Sequence, residues 1–393
     1  MKAMKKTAPF TFYFLYFAAL ACLAPFVVLF YQQLGFGGPQ IGLLAGMAPL
    51  ITLVSAPLWT GAADATRRHR LLMSLAIAGA VAAALVFPDL KSIGPVMLVL
   101  ALFSFFTAPV SSFADSATMS MLGEQKDQYG RVRLGGTFGW AIMALVAGIA
   151  IQAYGLKLAF WGYAALMFLA LLVCQRFVFD HAAIGVSLRG GVRTLMANRH
   201  WVLFLLLAFT AGVGLASINT YLFAYMQEQN ASKTMMGLAL TISTIAELPV
   251  LFFSGHLLRR FKAHGLFVLA TIITGVRLLL YAAVSFPAGI LIFQLLNGLT
   301  FPAAWVAGVS YADENAPPGM SATAQGIFGA MIFGFGAAAG GFLGGLLLSS
   351  VGGRGMYLVF GLIVLVSTAV ITLVERRLPA QRPAASVSPN ILT

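Results

Sequence analysis

Charge is what this sequence has least of. Only 9% of its 393 residues are Asp, Glu, Lys or Arg, and just 11 are acidic. Soluble domains carry roughly 25% charged residues, so a solvated surface of ordinary extent is excluded. With 60% hydrophobic residues and a mean hydropathy of +0.92, the disordered and small secreted classes are excluded as well. Cysteine is equally scarce. Cys22 and Cys174 both fall in apolar runs, and nothing supports a disulfide between them. No glycine-rich loop carries the Lys-Ser/Thr pair of a phosphate cradle, so ATP-driven chemistry is not encoded. Neither a nucleophile–base pair nor a metal-ligand cluster is visible, which argues against an enzyme, a cofactor or a metal.

What the sequence has in abundance is apolar length. Runs cover residues 10–34, 40–63, 71–88, 94–123, 130–153 and 157–179, then 201–227, 234–257, 265–286, 288–312, 320–349 and 355–374. About 20 apolar residues suffice for a helix to cross a bilayer. The runs therefore predict an all-α integral membrane protein with twelve transmembrane helices in two pseudo-symmetric six-helix halves. The run after Lys5 and Lys6 is too long for the apolar core of a signal peptide, so it is the first span. The divisions expected are an N-terminal bundle over 1–179, a cytoplasmic linker over 180–200, a C-terminal bundle over 201–375 and a disordered cytoplasmic tail over 376–393.

The net charge is +13, which in a soluble protein would point to nucleic acid. Its placement points elsewhere. Nineteen of the 24 Lys and Arg fall at the termini and in alternate loops. Lys91, Lys157, Lys233 and Arg354 fall in the opposite loops, and Arg277 inside a span. That asymmetry is the positive-inside pattern and predicts cytoplasmic termini in a bacterial inner membrane. The partners expected are the lipid bilayer and a small-molecule substrate, without nucleic acid, for a chain acting as a monomer.

The halves echo one another. "TGAADATRRHR" ends the second run and "FSGHLLRRF" the eighth, with Gly255 lying 194 residues after Gly61. Duplicated six-helix halves are a transporter architecture, with the substrate site at the midplane between them.

"TGAADATRRHRLL" resembles the loop signature of the major facilitator superfamily, in which a Gly, an Asp and a basic cluster join helices 2 and 3. Asp64 matches the family aspartate, and Arg67, Arg68 and Arg70 match the basic cluster; the second glycine of the signature is missing. The resemblance implies alternating access, with Asp64, Arg67 and Arg68 in a conformational gating motif.

Ionisable side chains inside a span are expensive and so mark function by default. Here they are Asp115 in helix 4, Arg131 and Arg133 at the start of helix 5, Glu247 in helix 8 and Arg277 in helix 9. Asp115 stands eight residues before Gly123, about 12 Å along the helix axis. A long arginine side chain from the next helix can reach it. Two positions apart on a helix means about 200° of rotation, so Arg131 and Arg133 cannot share a direction. Arg133 is expected to turn inward to Asp115, and Arg131 to mark the membrane face. The plain alternatives are an interhelical polar link for Asp115 and a buried structural pair for Glu247 and Arg277, each the other's expected partner.

The segment 115–140 also resembles the lactose permease branch, which has a helix 4 carboxylate, a Gly-Arg-x-Arg start to helix 5 and a Gly-x-x-Gly-Trp turn. Here these are Asp115, Gly130 to Arg133, and Gly136 to Trp140, with Arg133 eighteen residues after Asp115. By that resemblance Asp115, Arg133, Trp140, Glu247 and Asn297 bind substrate, the acid and arginine taking sugar hydroxyls and the tryptophan the ring face. Glu247, Arg277 and Asp115 would serve proton coupling. The pattern departs in helix 10, where "QLLNGLTFP" sets Gln294, Asn297 and Thr300 in place of titratable groups; Thr300 and a helix 4 aspartate resemble more the phenylpropionate and related transporters of the branch. If a proton gradient drives transport, Glu247 or Asp115 carries the proton. The function expected is proton-coupled uptake of a sugar or glycoside. Uptake of an aromatic or other organic acid, or efflux of a small amphipathic compound, are the alternatives; the Gly-Pro signature of drug-exporter helix 5 is missing. The helix 11 glycines are expected to serve close packing, and the aromatics of helix 1 (Phe10, Phe12, Tyr13, Phe14, Tyr16, Phe17) to face lipid for the most part.

Overall fold

A computed structural model describes residues 4–179, 195–317 and 320–379. The described residues are helical with no strand among them. Eleven helical stretches are long and apolar enough to cross a membrane. They are α1 (Thr7–Gln33), α2 (Gly38–Thr66), α3 (His69–Asp89), α4 (Ile93–Gln125), α5 (Tyr129–Tyr154) and α6 (Lys157–Cys174), then α7 (Arg199–Glu228), α8 (Lys233–Phe252), α9 (Ser254–Ala283), α10 (Pro287–Glu314) and Thr323–Arg376. The last runs for 54 residues but is broken at Gly352, whose φ of 70° and ψ of 174° no helix contains. We number its limbs α11 (323–351) and α12 (353–376), which restores the twelve runs of the sequence. Most of the expected linker, and residues 380–393 of the tail, lie outside the described residues. The end of the linker is corrected: Asn198 caps α7 by accepting from the backbone N–H groups of His200 and Trp201, so that helix begins at Arg199.

Local chemistry sets the tight connections. Pro39 opens α2, and Gln40 Oε1 accepts from the Gly37 N–H at 2.9 Å. Ser232 caps α8 through the Met235 N–H at 3.2 Å. Arg67, in left-handed backbone at φ 55°, ends α2. Lipid-side positions carry large apolar residues such as Val54, Leu98 and Ile292, each more than 60% exposed.

The interior uses small residues to bring backbones together. In α5 a Cβ on Gly139 would collide with the Phe14 carbonyl of α1, and one on Gly135 with the Phe10 carbonyl. Helices can approach this closely only where a side chain is missing. On the face opposite the chain termini, Gly38 and Gly42 of α2 meet Gly345 of α11 in the same way, while Gly148 of α5 meets Gly237 of α8. These α2–α11 and α5–α8 crossings join the two halves of the chain, and the packing role expected for the helix 11 glycines is found there.

The aromatics of α1 correct a sequence expectation. Phe12 and Tyr13 are completely buried and Tyr16 nearly so, while Phe10 alone among the six is exposed. Their rings line the α1–α5 contact and the interior, because α1 is enclosed by its neighbours instead of bordering lipid.

Candidate functional site

A cavity of about 560 Å³ lies between the halves, on the termini side of the glycine crossings. That is within the range of small-molecule sites. The first half contributes Phe17 and Pro25 of α1 and Arg133, Thr137 and Trp140 of α5. The second contributes Glu247 of α8, Arg277 of α9, and Gln294, Asn297 and Trp305 of α10. Regular helix fails where it borders the cavity: α1 has a 3₁₀ turn at Ala24–Phe26, α10 one at Gln294–Leu296, and α11 a π turn at Ala330–Gly336. Irregular helix of this kind is tolerated at membrane depth where it is buried in protein or lines a cavity.

Arg133 points inward and Arg131 is exposed, as their angular separation requires. The Arg133 guanidinium donates from Nη1 to Asp115 Oδ1 at 3.3 Å. It lies over the Tyr13 and Phe17 rings, 4.8 Å from each centroid. The same carboxylate oxygen accepts from Tyr13 Oη at 2.5 Å and Tyr129 Oη at 2.9 Å. Thr118 Oγ1 donates in turn to Tyr13 Oη at 3.3 Å. Asp115 does not line the cavity, although the sequence reading counted it with the substrate ligands. It stands behind Arg133 and orients it. Tyr13 and Tyr129 were missed; the helical spacing of Tyr13, Tyr16 and Phe17 was the available signal.

Asp115→Asn removes the charge that three donors share. Since Asp115 and Arg133 are 40% and 35% exposed, the pair is partly screened. We expect affinity for a cavity ligand to fall about tenfold, most of it through hydrogen bonds to a charged acceptor. Isothermal titration calorimetry would measure it; unchanged affinity would show that Asp115 does not position Arg133.

In the second half, Arg277 is 1% exposed. Its guanidinium donates to four neutral oxygens: Tyr281 Oη at 2.8 Å, Asn297 Oδ1 at 2.7 Å, Thr300 Oγ1 at 3.1 Å and Gln294 Oε1 at 2.5 Å. The direct Glu247–Arg277 pair expected from the sequence is absent among the described residues. Asn297 takes the place between them, accepting from Arg277 and donating from Nδ2 to Glu247 Oε1 at 2.7 Å. An amide can do this because it presents an acceptor and a donor on one planar group. Asn297 of the non-titrating "QLLN" segment thus forms a hydrogen-bonded relay from Arg277 to Glu247. Gln294 adds a second feature. With Oε1 committed to Arg277, its buried Nε2 has no partner, leaving a donor at the cavity wall.

Asp64, Arg67 and Arg68 lie together between α2 and α3, far from the cavity lining, with Asp64 Oδ1 2.9 Å from His69 Nε2. His264 and His200 meet Glu375 at 3.0 and 3.6 Å, and Asp313 accepts from Ser321. Cys22 and Cys174 are free and buried.

A family model described as the MFS_1 like family matches residues 10–359. The chain belongs to this family of membrane transporters. The MFS_1-like chain is 28% identical over 377 residues to the maltose permease of Geobacillus stearothermophilus, covering 95% of this chain and 96% of that one. It is 23% identical over 354 residues to the uncharacterized transporter YwbF of Bacillus subtilis strain 168, covering 90% and 89%. In fold it resembles the nucleoside transporter NupG, with a TM-score of 0.83 at 16% identity over 95% of this chain and 99% of that one. It also resembles a bacterial homolog of the human lysosomal transporter Spinster, inward-facing and unoccupied, with a TM-score of 0.72 at 14% identity over 95% and 97%. The MFS_1-like protein is therefore a multi-pass membrane transporter and not an enzyme.

Proposed function

We propose that this transporter takes up a sugar or glycoside, coupled to protons, by alternating access. The observation that carries the reading is that one cavity collects Arg133 and Trp140 from the first half and Glu247, Asn297 and Gln294 from the second. A polyol needs donors and acceptors around its hydroxyls and an aromatic wall for its C–H face, and this set supplies both. Charge balance favours a neutral solute. Asp115 compensates Arg133 directly, and Glu247 compensates Arg277 through Asn297. The likeness to a maltose permease over nearly the whole chain supports the same substrate class.

Among the described residues, Glu247 is the one carboxylate lining the cavity, which makes it our candidate proton carrier. Asp64, Arg67 and Arg68 act in gating under this reading. The chain works as a monomer in a bacterial inner membrane with its termini in the cytoplasm, in keeping with the distribution of Lys and Arg.

Proteoliposomes test the proposal. Radiolabelled maltose should accumulate when an inward proton gradient is imposed and should be displaced by neutral glycosides but not by 3-phenylpropionate. Equal uptake with and without the gradient would reject symport, and displacement by the anion alone would favour the organic-acid alternative. Glu247→Gln should abolish gradient-driven accumulation, at least about tenfold, while sugar exchange across the membrane persists.

A further inference from the structure

A second cleft, of about 890 Å³, opens between α3 and α6 at the face that carries the chain termini, remote from the transport cavity. Its walls are apolar. Leu71, Leu75 and Ala78 follow one face of α3 opposite Leu171 and Leu172 of α6. Leu71, Leu75 and Leu172 are 50%, 49% and 54% exposed, so this trough is open to the surroundings of the helices. Its mouth is basic, lined by Arg67, Arg68, His69 and Arg70, with no Asp or Glu of the described residues in the lining.

The three arginines are not equivalent. Arg70 is held: Nε and Nη2 both donate to the Phe177 carbonyl, at 3.1 and 2.7 Å, which ties α3 to the segment after α6. Arg67 and Arg68 are exposed and have no ion pair or hydrogen bond among the described residues. The second half treats its basic groups at this face differently, bringing His200 and His264 onto Glu375. At the α3–α6 cleft the corresponding acid is Asp64, which meets His69 at 2.9 Å, and among the described residues no acid pairs with Arg67 or Arg68. Gln175, next to the end of α6, is neutral and donates to Ser74 at 2.9 Å.

A transmembrane protein sets such a cleft against lipid. An apolar trough about 10 Å long, from Leu71 to Ala78, that ends in two unpaired guanidinium groups is complementary to acyl chains bearing an anionic head. We propose that the α3–α6 cleft binds one anionic glycerophospholipid, its phosphate on Arg67 and Arg68 and its acyl chains along the α3 and α6 leucines. A zwitterionic lipid fits less well, because among the described residues the cleft lining offers its ammonium group no carboxylate and the neighbouring Asp64 is already held by His69. The bound lipid supplies counter-charge to Arg67 and Arg68, which Asp64 does not pair because it is taken by His69, and holds the left-handed Arg67 turn against α6.

Native mass spectrometry of the full chain tests this, in micelles doped with equal amounts of phosphatidylglycerol and phosphatidylcholine. One phosphatidylglycerol should be retained with about a thirtyfold preference, since each arginine near the head contributes about a factor of five. Excess sodium phosphate should not displace it. The double variant Arg67→Gln/Arg68→Gln should bring the preference close to unity. Leu75→Trp, which fills the trough and leaves the arginines in place, should expel the lipid and provides a second test if the arginine variant does not fold. Equal retention of the two lipids, displacement by free phosphate, or undiminished retention in either folded variant would overturn the proposal.

Discussion

Asn297→Leu is expected to reduce transport at least about a hundredfold. The substitution keeps the volume of the side chain roughly constant and removes both ends of the relay. Arg277 Nη1 then keeps only Thr300, and Glu247 Oε1 loses its donor. Hydrogen bonds to charged groups contribute about 1.5–3 kcal/mol each, so losing two exceeds the roughly 2.7 kcal/mol that a hundredfold change requires. Initial uptake rates in proteoliposomes measure the effect. Asn297→Asp is the informative companion. Its new carboxylate sits against Arg277 but also against Glu247, where two negative charges cannot both persist at close range. We expect that variant to stay folded, with an unchanged thermal melting point, yet to lose proton-driven accumulation. If Asn297→Leu transports normally, the relay is a packing feature and Glu247 works without it.

The second large effect falls on folding. Gly139→Val should leave no monodisperse protein on size-exclusion chromatography in detergent. The Cβ would meet the Phe14 carbonyl, and a carbonyl inside a helix cannot swing aside as a side chain could. Overpacking of cores costs about 1–3 kcal/mol even where side chains can adjust, and here α1 itself must move. That displacement would carry Tyr13 away from Asp115 and Phe17 away from Arg133, so binding suffers even in any surviving fraction. Gly130→Ala is the control. Gly130 is exposed, with nothing within 4 Å of an added Cβ, and the variant should behave like the parent.

The spans were legible in the sequence because the bilayer imposes one length and one composition on every crossing; the helix ends were not, since the caps at Asn198 and Ser232 and the break at Gly352 lie outside the apolar runs. The inward turn of Arg133 and the outward position of Arg131 were legible too, since helical rotation alone separates them. Partnerships were harder. Glu247 and Arg277 line one cavity, but the sequence could not show that an amide stands between them. Opposite charges suggest a pair, whereas a relay depends on side-chain reach across three helices. Tyr13 and Tyr129 were hidden for a related reason: aromatic residues suit lipid, interface and interior alike, and only the enclosure of α1 decides among them. Asp115 lay in the right neighbourhood, one layer further from the cavity than its spacing to Arg133 implied.

The two helix crossings that join the halves are fastened differently. Where α5 meets α8, Thr241 Oγ1 donates to the Ala141 carbonyl at 2.8 Å and Gln152 Oε1 accepts from the Lys233 N–H at 2.7 Å. Where α2 meets α11, glycine backbones simply abut, with no such bond among the described residues. Parting the first pair forfeits two hydrogen bonds, about 1 kcal/mol each. Parting the second forfeits only dispersion contacts, which water or lipid restores in kind. The α5–α8 crossing is thus held by polar bonds as well as packing, whereas among the described residues the α2–α11 crossing rests on close fit alone.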